Sequence, residues 1–249
     1  MNELSIAENA VKKAGELLRR NFRKKYSVER KEKHDFVTGL DLKAEKRILE
    51  ILEDTEYSIY GEETGEHPGE GGTWIVDPLD GTTNYILGSP AFASAVSLVI
   101  DGKPELSAAY LPFTDDIVTA ERGGGAYLNG ERITVSDIST IEDSFLIFCH
   151  GKDPEDSRAA VEIYSRFKTR CKDLRQLGSA VFEFLSVALG RAEAFIFPGA
   201  PKYDVAPGYL FLEEAGGRIT DFEGEEYDFD ADNMLASNGN IHDRIIGSL

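Results

Sequence analysis

The sequence predicts a mixed α/β protein in which helices flank sheets in alternating layers. Three observations carry this. The chain opens with Leu4, Ala7, Val11, Ala14 and Leu18 at spacings of three and four, the period of an amphipathic helix. Residues 91–135 then hold short apolar runs separated by turn dipeptides, the pattern of an antiparallel meander. Beyond about residue 140, strand-like and helix-like segments alternate.

The elements follow in order. The first helix runs to about Phe22, and the basic stretch 23–33 reads as a solvated connector entering a strand. A second helix begins near Thr38, with Ala44, Ile48, Ile51 and Leu52 on its apolar face. Residues 57–60 form a short strand, and 62–72, rich in Gly and acid with one Pro, form a mobile loop. Residues 73–76 carry a buried-strand signature that Asp77-Pro78 breaks. Strands follow at 91–100, 105–111, 117–120, 126–128 and 131–135, with Asp101-Gly102 and Asn129-Gly130 as turns. The second part reads as strand 145–149, helices 154–167 and 179–189, strand 194–197, and a helix over 204–215 ended by Gly216-Gly217. Strands at 218–221 and 234–237 precede a terminal helix from Ile241. With no repeat, low-complexity tract or linker, 1–249 reads as a single domain with an internal seam near residue 140.

Composition narrows the function. The 249 residues carry 45 Asp and Glu against 27 Lys and Arg, a net charge of −18. Such a surface disfavours nucleic acid and anionic membranes as partners. It also sets a puzzle for any anionic substrate. Cys149 and Cys171 form no CxxC pair, so a reducing cytoplasm is the expected location. The four histidines show no zinc-ligand spacing. The N-terminal segment lacks a signal-peptide apolar core, and the longest weakly polar stretch, 91–100, is far short of the ~20 residues that span a bilayer.

Three acidic segments stand apart from an ordinary solvated surface. In Trp74-Ile-Val-Asp77-Pro78-Leu79-Asp80-Gly81-Thr82-Thr83 an apolar strand ends on an aspartate held extended by the following proline. Asp77 and Asp80, three residues apart on a rigid turn, can converge on one hard cation with the Leu79 carbonyl between them. N–H groups after Gly81 would form an adjoining anion site where a helix begins. A plain Asp-Pro turn with an Asp N-cap is the alternative, and the buried strand and the two threonines favour function. Glu62-Glu63 carries adjacent repelling carboxylates that a cation would relieve, although alone it reads as an acidic loop. Thr38 and Asp41 fit a T-x-x-D capping box, a role compatible with Asp41 also facing a site. Further on, Asp204 is an N-cap candidate for the helix it opens.

Together these segments resemble the inositol monophosphatase family of Mg²⁺-dependent, lithium-sensitive phosphatases. The resemblance rests on Gly61-Glu62-Glu63, the 74–84 block, Tyr203-Asp204-Val-Ala206, the Gly123-Gly-Gly-Ala-Tyr127-Leu-Asn129-Gly130 hairpin, Gly178-Ser179-Ala180 and Glu214-Ala-Gly-Gly217. It implies an αβαβα layered sandwich of the inositol monophosphatase and fructose-1,6-bisphosphatase type, usually a homodimer. The half before the seam would supply most of the metal and phosphate contacts and the half after it would complete the substrate site. Carried over, Glu62, Asp77 and the Leu79 carbonyl would hold a first Mg²⁺. Asp77, Asp80 and Asp204 would hold a second, and a third, looser ion would sit by Glu62. Asp80, Gly81, Thr82 and Ala180 would meet the substrate, and Thr82 paired with Asp41 would activate the attacking water. Hard carboxylate oxygens suit Mg²⁺, and the ions would offset the dianionic phosphate. No GxSxG or CxxxxxR nucleophile loop is present, and none is needed.

The substrate is less determined. Inositol-specific members place a Glu seven residues before the last metal Asp, where this chain has Phe197. Members that also cleave fructose 1,6-bisphosphate often place an Arg in this region, where Lys202 is the one nearby cation; Arg175 and Arg191 are further candidates. The preferred expectation is a phosphatase of inositol 1-phosphate and related small phosphorylated polyols or sugars. The alternatives are fructose-1,6-bisphosphatase activity, the same chemistry on an adenosine 3′,5′-bisphosphate-type nucleotide, and a non-catalytic metal-binding regulator. The last is disfavoured because Glu62, Asp77, Asp80 and Asp204 are all present.

Overall fold

The computed structural model describes residues 2–25, 28–32, 35–229 and 231–249. Residues 26–27 and 33 of the expected basic connector lie outside the described residues. Helices α1 (Glu3–Asn21) and α2 (Asp41–Leu52) follow the apolar period, burying Ala7, Val11, Ala14 and Leu18 on one and Ala44, Ile48 and Leu52 on the other. Between them, β1 (Val28–Glu32) and β2 (Asp35–Thr38) form a two-stranded antiparallel ribbon.

The first large sheet contains eight strands: β3 (Ser58–Gly61), β4 (Gly65–His67), β5 (Thr73–Asp80), β6 (Ala93–Ile100), β7 (Lys103–Leu111), β8 (Asp116–Glu121), β9 (Gly125–Leu128) and β10 (Glu131–Arg132). Their spatial order is β10-β9-β8-β7-β6-β5-β3-β4. The meander is present as expected. Its two hairpin dipeptides have left-handed backbone at both residues, with φ of 50° and 76° at Asp101-Gly102 and 53° and 80° at Asn129-Gly130. That conformation matches the strand twist. Helix α3 (Thr82–Leu87) leaves β5 directly.

Beyond residue 140 lies a second sheet of β11 (Phe145–Phe148), β12 (Asp173–Arg175), β13 (Ala194–Pro198), β14 (Arg218–Thr220) and β15 (Asn233–Ser237), ordered β12-β11-β13-β15-β14. Helices α4 (Pro154–Phe167), α5 (Ala180–Ala188), α6 (Lys202–Glu214) and α7 (His242–Ile246) accompany it. The packing gives five layers: α1 and α2, the eight-stranded sheet, α5 and α6, the five-stranded sheet, then α4 and α7. One core lies under α1 and α2, a second surrounds α5 and α6 between the sheets, and a third lies under α4 and α7. The expected αβαβα sandwich is the observed fold. Because α6 is covered on both sides, Val205 to Leu212 are buried without a polar stripe. At Gly208 the helices approach so closely that a Cβ would sit 2.1 Å from the Phe184 ring.

Four local expectations are corrected. Strand β5 is not broken at Asp77-Pro78 but continues to Asp80, with a register shift between Asp77 and Asp80 against β6. A bulge accommodates Pro78, which has no N–H for the ladder. Residues 62–72 are not only loop, because β4 pairs with β3 there. Helix α2 starts at Asp41, where Leu40 is the N-cap. Thr38 accepts the Leu40 N–H through Oγ1, so only the reverse half of the expected capping box forms, from Asp41 back to Thr38. Asp204 is not the cap of α6 either; Pro201 holds that place and Asp204 lies in the first turn.

Candidate active site

The β5 bulge sets the site. Asp77 and Asp80 leave it buried, at 2% and 5% exposure. Asp204 joins them from the first turn of α6, and one carboxylate oxygen from each of the three lies within 4.8 Å of the others. Burial pushes the Asp77 carboxyl well above the usual range, and the charges of Glu62, Asp80 and Asp204 push it further. Glu62 is close enough to share a hydrogen bond with Asp77. Yet Asp77 Oδ1 has no hydrogen-bond partner although it is buried. Such an orphaned acceptor among repelling carboxylates is costly. A divalent cation would satisfy the acceptor and remove the repulsion together, and an all-oxygen donor set suits Mg²⁺ or a similar hard ion. The residues present fit such a group.

Asp80 is held differently. Its Oδ1 accepts the Ala180 N–H at 2.8 Å, its Oδ2 accepts the Val181 N–H at 3.0 Å, and the Ser179 hydroxyl donates to the same oxygen. Burial raises its carboxyl to about 6 while these bonds oppose the rise. Asp80 therefore seals the start of α5, the half of the site beyond residue 140.

Gly81 follows with φ of 85°, and a Cβ there would meet the Ala91 carbonyl at 3.0 Å and the Ser179 side chain at 3.1 Å. Only glycine fits this turn without strain. Beyond it Thr82 starts α3, with its Oγ1 3.1 Å from Asp41 Oδ1 and 3.0 Å from the Leu79 carbonyl. The single hydroxyl proton can serve one of these acceptors at a time. Asp41 is buried, which raises its carboxyl against the lowering effect of bonds from Thr38 and Thr82.

Some expected residues fall elsewhere. Ala180 is present at the site, but its N–H is taken by Asp80. Arg175 lies on the edge strand β12, its side chain 65% exposed and ion-paired with Asp173. Arg191 follows the far end of α5, a nine-residue helix about 14 Å long at 1.5 Å per residue, and so lies away from the Ser179 end. Phe197 is buried against Phe195 and offers no acceptor. Lys202, two residues before Asp204, lines a cleft of about 1020 Å³ with Tyr60, His67, Thr73, Ile75 and Phe229.

Three supporting residues escaped the sequence reading. Asn84 donates through Nδ2 to the carbonyls of Ala91, Leu177 and Gly178, tying the Gly81 turn to the segment before α5. Glu183 accepts the Leu177 and Gly178 N–H groups at 2.9 and 3.0 Å on one oxygen, and burial raises its carboxyl to about 8. Glu45, fully buried on α2, accepts the N–H groups of Glu63 and Thr64. For Glu45 and Glu183 the available signal was an acid on the apolar face of a helix.

An αβαβα sandwich that gathers buried carboxylates beside a glycine turn and a Thr–Asp pair defines the class of metal-dependent phosphatases. The chain belongs to the inositol monophosphatase family, whose model matches residues 2–249. It is 35% identical over 245 residues to the Nus factor SuhB of Salmonella typhimurium LT2, covering 96% of this chain and 92% of that protein. It is 32% identical over 249 residues to a fructose-1,6-bisphosphatase/inositol-1-monophosphatase of Thermotoga maritima, covering 99% and 95%. The solved structure of a Thermotoga maritima inositol monophosphatase superposes with a TM-score of 0.91 at 32% identity, covering all of this chain and 96% of that one. Among the described residues, no helix is long and apolar enough to cross a membrane.

Proposed function

We propose that the protein is a Mg²⁺-dependent phosphomonoesterase acting on inositol 1-phosphate and related small phosphorylated polyols or sugars. The observation that carries this is the convergence of Asp77, Asp80 and Asp204, with Asp77 Oδ1 buried and unpartnered. In this reading Glu62, Asp77 and the Leu79 carbonyl would hold one ion, and Asp77, Asp80 and Asp204 would hold a second. Glu62 would also be the side chain nearest a third, looser ion. When bound, the ions offset the phosphate dianion, acidify water and stabilise the leaving alkoxide.

The chain's own groups do the rest. The first-turn N–H groups of α3 have no intrahelical acceptor and meet the phosphate oxygens, while Gly81 lets the backbone approach. The Thr82 hydroxyl holds the attacking water and passes a proton towards Asp41. Burial gives Asp41 more basicity than an exposed aspartate, which suits a proton acceptor.

A specific observation favours fructose 1,6-bisphosphate as a second substrate. Lys202, in the first turn of α6 two residues before Asp204, is a cation that suits another phosphate, and Phe197 supplies no carboxylate for polyol hydroxyls. The Thermotoga relative named for both activities supports the same reading. A homodimer in the cytoplasm is proposed on the family resemblance and the two free cysteines. Phosphate release from inositol 1-phosphate, fructose 1,6-bisphosphate and adenosine 3′,5′-bisphosphate, with Mg²⁺ or with excess EDTA, tests the assignment. Equal rates in EDTA overturn the metal reading, and cleavage of the nucleotide alone overturns the substrate reading.

A further inference from the structure

Helix α2 carries two carboxylates one turn apart on its buried face, Asp41 at 1% exposure and Glu45 at 0%. Like charges at i and i+4 destabilise a helix, and burial adds a desolvation cost to each. Asp41 has a role in the reading above. Among the described residues, Glu45 forms no hydrogen bond with Thr82 or the aspartate cluster. Its Oε2 accepts the Glu63 N–H at 2.9 Å and its Oε1 the Thr64 N–H at 2.8 Å. Among the described residues, no lysine or arginine forms an ion pair with it, so backbone amides answer its charge.

These two amides follow Glu62 directly. The Glu62 N–H donates to the Val76 carbonyl at 3.1 Å, and Val76 precedes Asp77. The backbone of Glu62 is thus tied to β5 on one side and to α2 on the other. Glycine at position 61 belongs to the same device. A Cβ there would lie 2.7 Å from Glu45 Cδ and Oε1, so any side chain would push the carboxylate off the amides.

We propose that Glu45 is a positioning residue that holds the 62–64 turn so that the Glu62 carboxylate reaches the ion shared with Asp77. This rests on the metal reading of the site. Groups that orient a metal ligand commonly change affinity by about 10- to 100-fold when removed. Glu45→Gln keeps the volume but turns one oxygen into an NH₂ that faces an N–H. It should weaken Mg²⁺ binding about 10-fold, while kcat recovers at saturating Mg²⁺.

Mg²⁺ affinity is measured by titration calorimetry and by the Mg²⁺-induced rise in Tm, on the wild type, Glu45→Gln and Asp77→Asn. Weaker binding by Glu45→Gln with an unchanged Tm in EDTA supports the proposal. Wild-type affinity in Glu45→Gln, with binding lost in Asp77→Asn, overturns the positioning role and leaves the metal reading standing. Wild-type affinity in Asp77→Asn overturns both. If Glu45→Gln does not fold, Gly61→Ala displaces the same contact with the glutamate retained. Weakened Mg²⁺ binding by Gly61→Ala supports the role, and unchanged binding overturns it.

Discussion

Asp80 and Ala180 are 100 residues apart, yet the Ala180 N–H donates to Asp80 Oδ1 at 2.8 Å. A carboxylate from the first sheet's strand β5 therefore caps a helix that packs against the second. The same side chain serves the proposed ion and the seal between the two sheets.

Asp80→Asn separates these duties. Its amide cannot accept all three donors, so the lost cap costs about 1 kcal/mol. Activity should fall by about 100-fold or more, since electrostatic groups at the reacting centre commonly contribute that much. Steady-state turnover with saturating Mg²⁺, alongside a urea midpoint, measures both. Wild-type turnover would remove Asp80 from the site.

Asp77→Asn should stabilise the metal-free protein. The Asp77 carboxyl is raised by burial and by its acidic neighbours, so the folded state binds its proton more tightly than the unfolded state. The contribution of Asp77 to the stability of the metal-free wild type is therefore greatest below the unfolded value near 4 and declines as pH rises towards the folded value. The asparagine removes this decline. In EDTA at neutral pH the variant should melt about 3 °C higher for each kcal/mol of repulsion relieved. The Mg²⁺-induced rise in Tm should disappear. A lower Tm in EDTA contradicts the repulsion argument.

Thr82→Val removes the hydroxyl near Asp41 without touching the aspartate cluster. Turnover should drop by about 10²- to 10⁴-fold, the usual weight of a proton-transfer relay. Calorimetric Mg²⁺ affinity should stay near wild type. Parallel loss of both would make Thr82 part of the ion site and not of the proton path.

His242 predicts an acid weakness remote from the site. Its ring lies between the Thr220 and Ser237 hydroxyls, each 2.8 Å from a ring nitrogen, and it is fully buried. Burial first, then the charge of Arg218, lowers it to about 4, with Asp243 opposing. Because the folded value lies below the unfolded value near 6.5, the stabilisation is complete above 6.5 and is lost as pH falls towards 4. His242→Gln should flatten the pH dependence of the urea midpoint over that window. An unchanged slope assigns the acid loss to other groups.

Gly208→Ala tests the contact between α5 and α6. The added methyl meets the Phe184 ring, and overpacking of this kind costs about 1–3 kcal/mol. Asp204 would shift with α6 relative to Asp80, so Mg²⁺ affinity should fall along with stability. Calorimetry and urea unfolding read the two effects, and a neutral result would show that the helices yield there.

Much of this architecture is legible in the sequence, because the apolar periods of α1, α2 and α4 and the Asn129-Gly130 turn act locally. The grouping of Glu62, Asp77, Asp80 and Asp204 was reached through motifs of a known family and not through periodicity. What escaped was set at long range. Strand β4 exists because β3 offers an open edge. Strand β5 continues through Pro78 because the bulge removes the need for a donor. The role of Glu45 depends on amides that lie 18 and 19 positions away in sequence. One difference is local: α6 starts at Lys202 and not at Asp204, because Pro201 takes the cap position.

The eight-stranded sheet ends at Arg132 and its partner begins at Phe145, with Asp77 and Asp80 before that interval and Asp204 after it. During synthesis the first two aspartates leave the ribosome long before the third. A nascent chain of the first 132 residues would hold two of the three clustered aspartates, and its Asp80 would still await the N–H groups of Ala180 and Val181. The carboxylate cluster would then be completed late, when α5 and α6 dock.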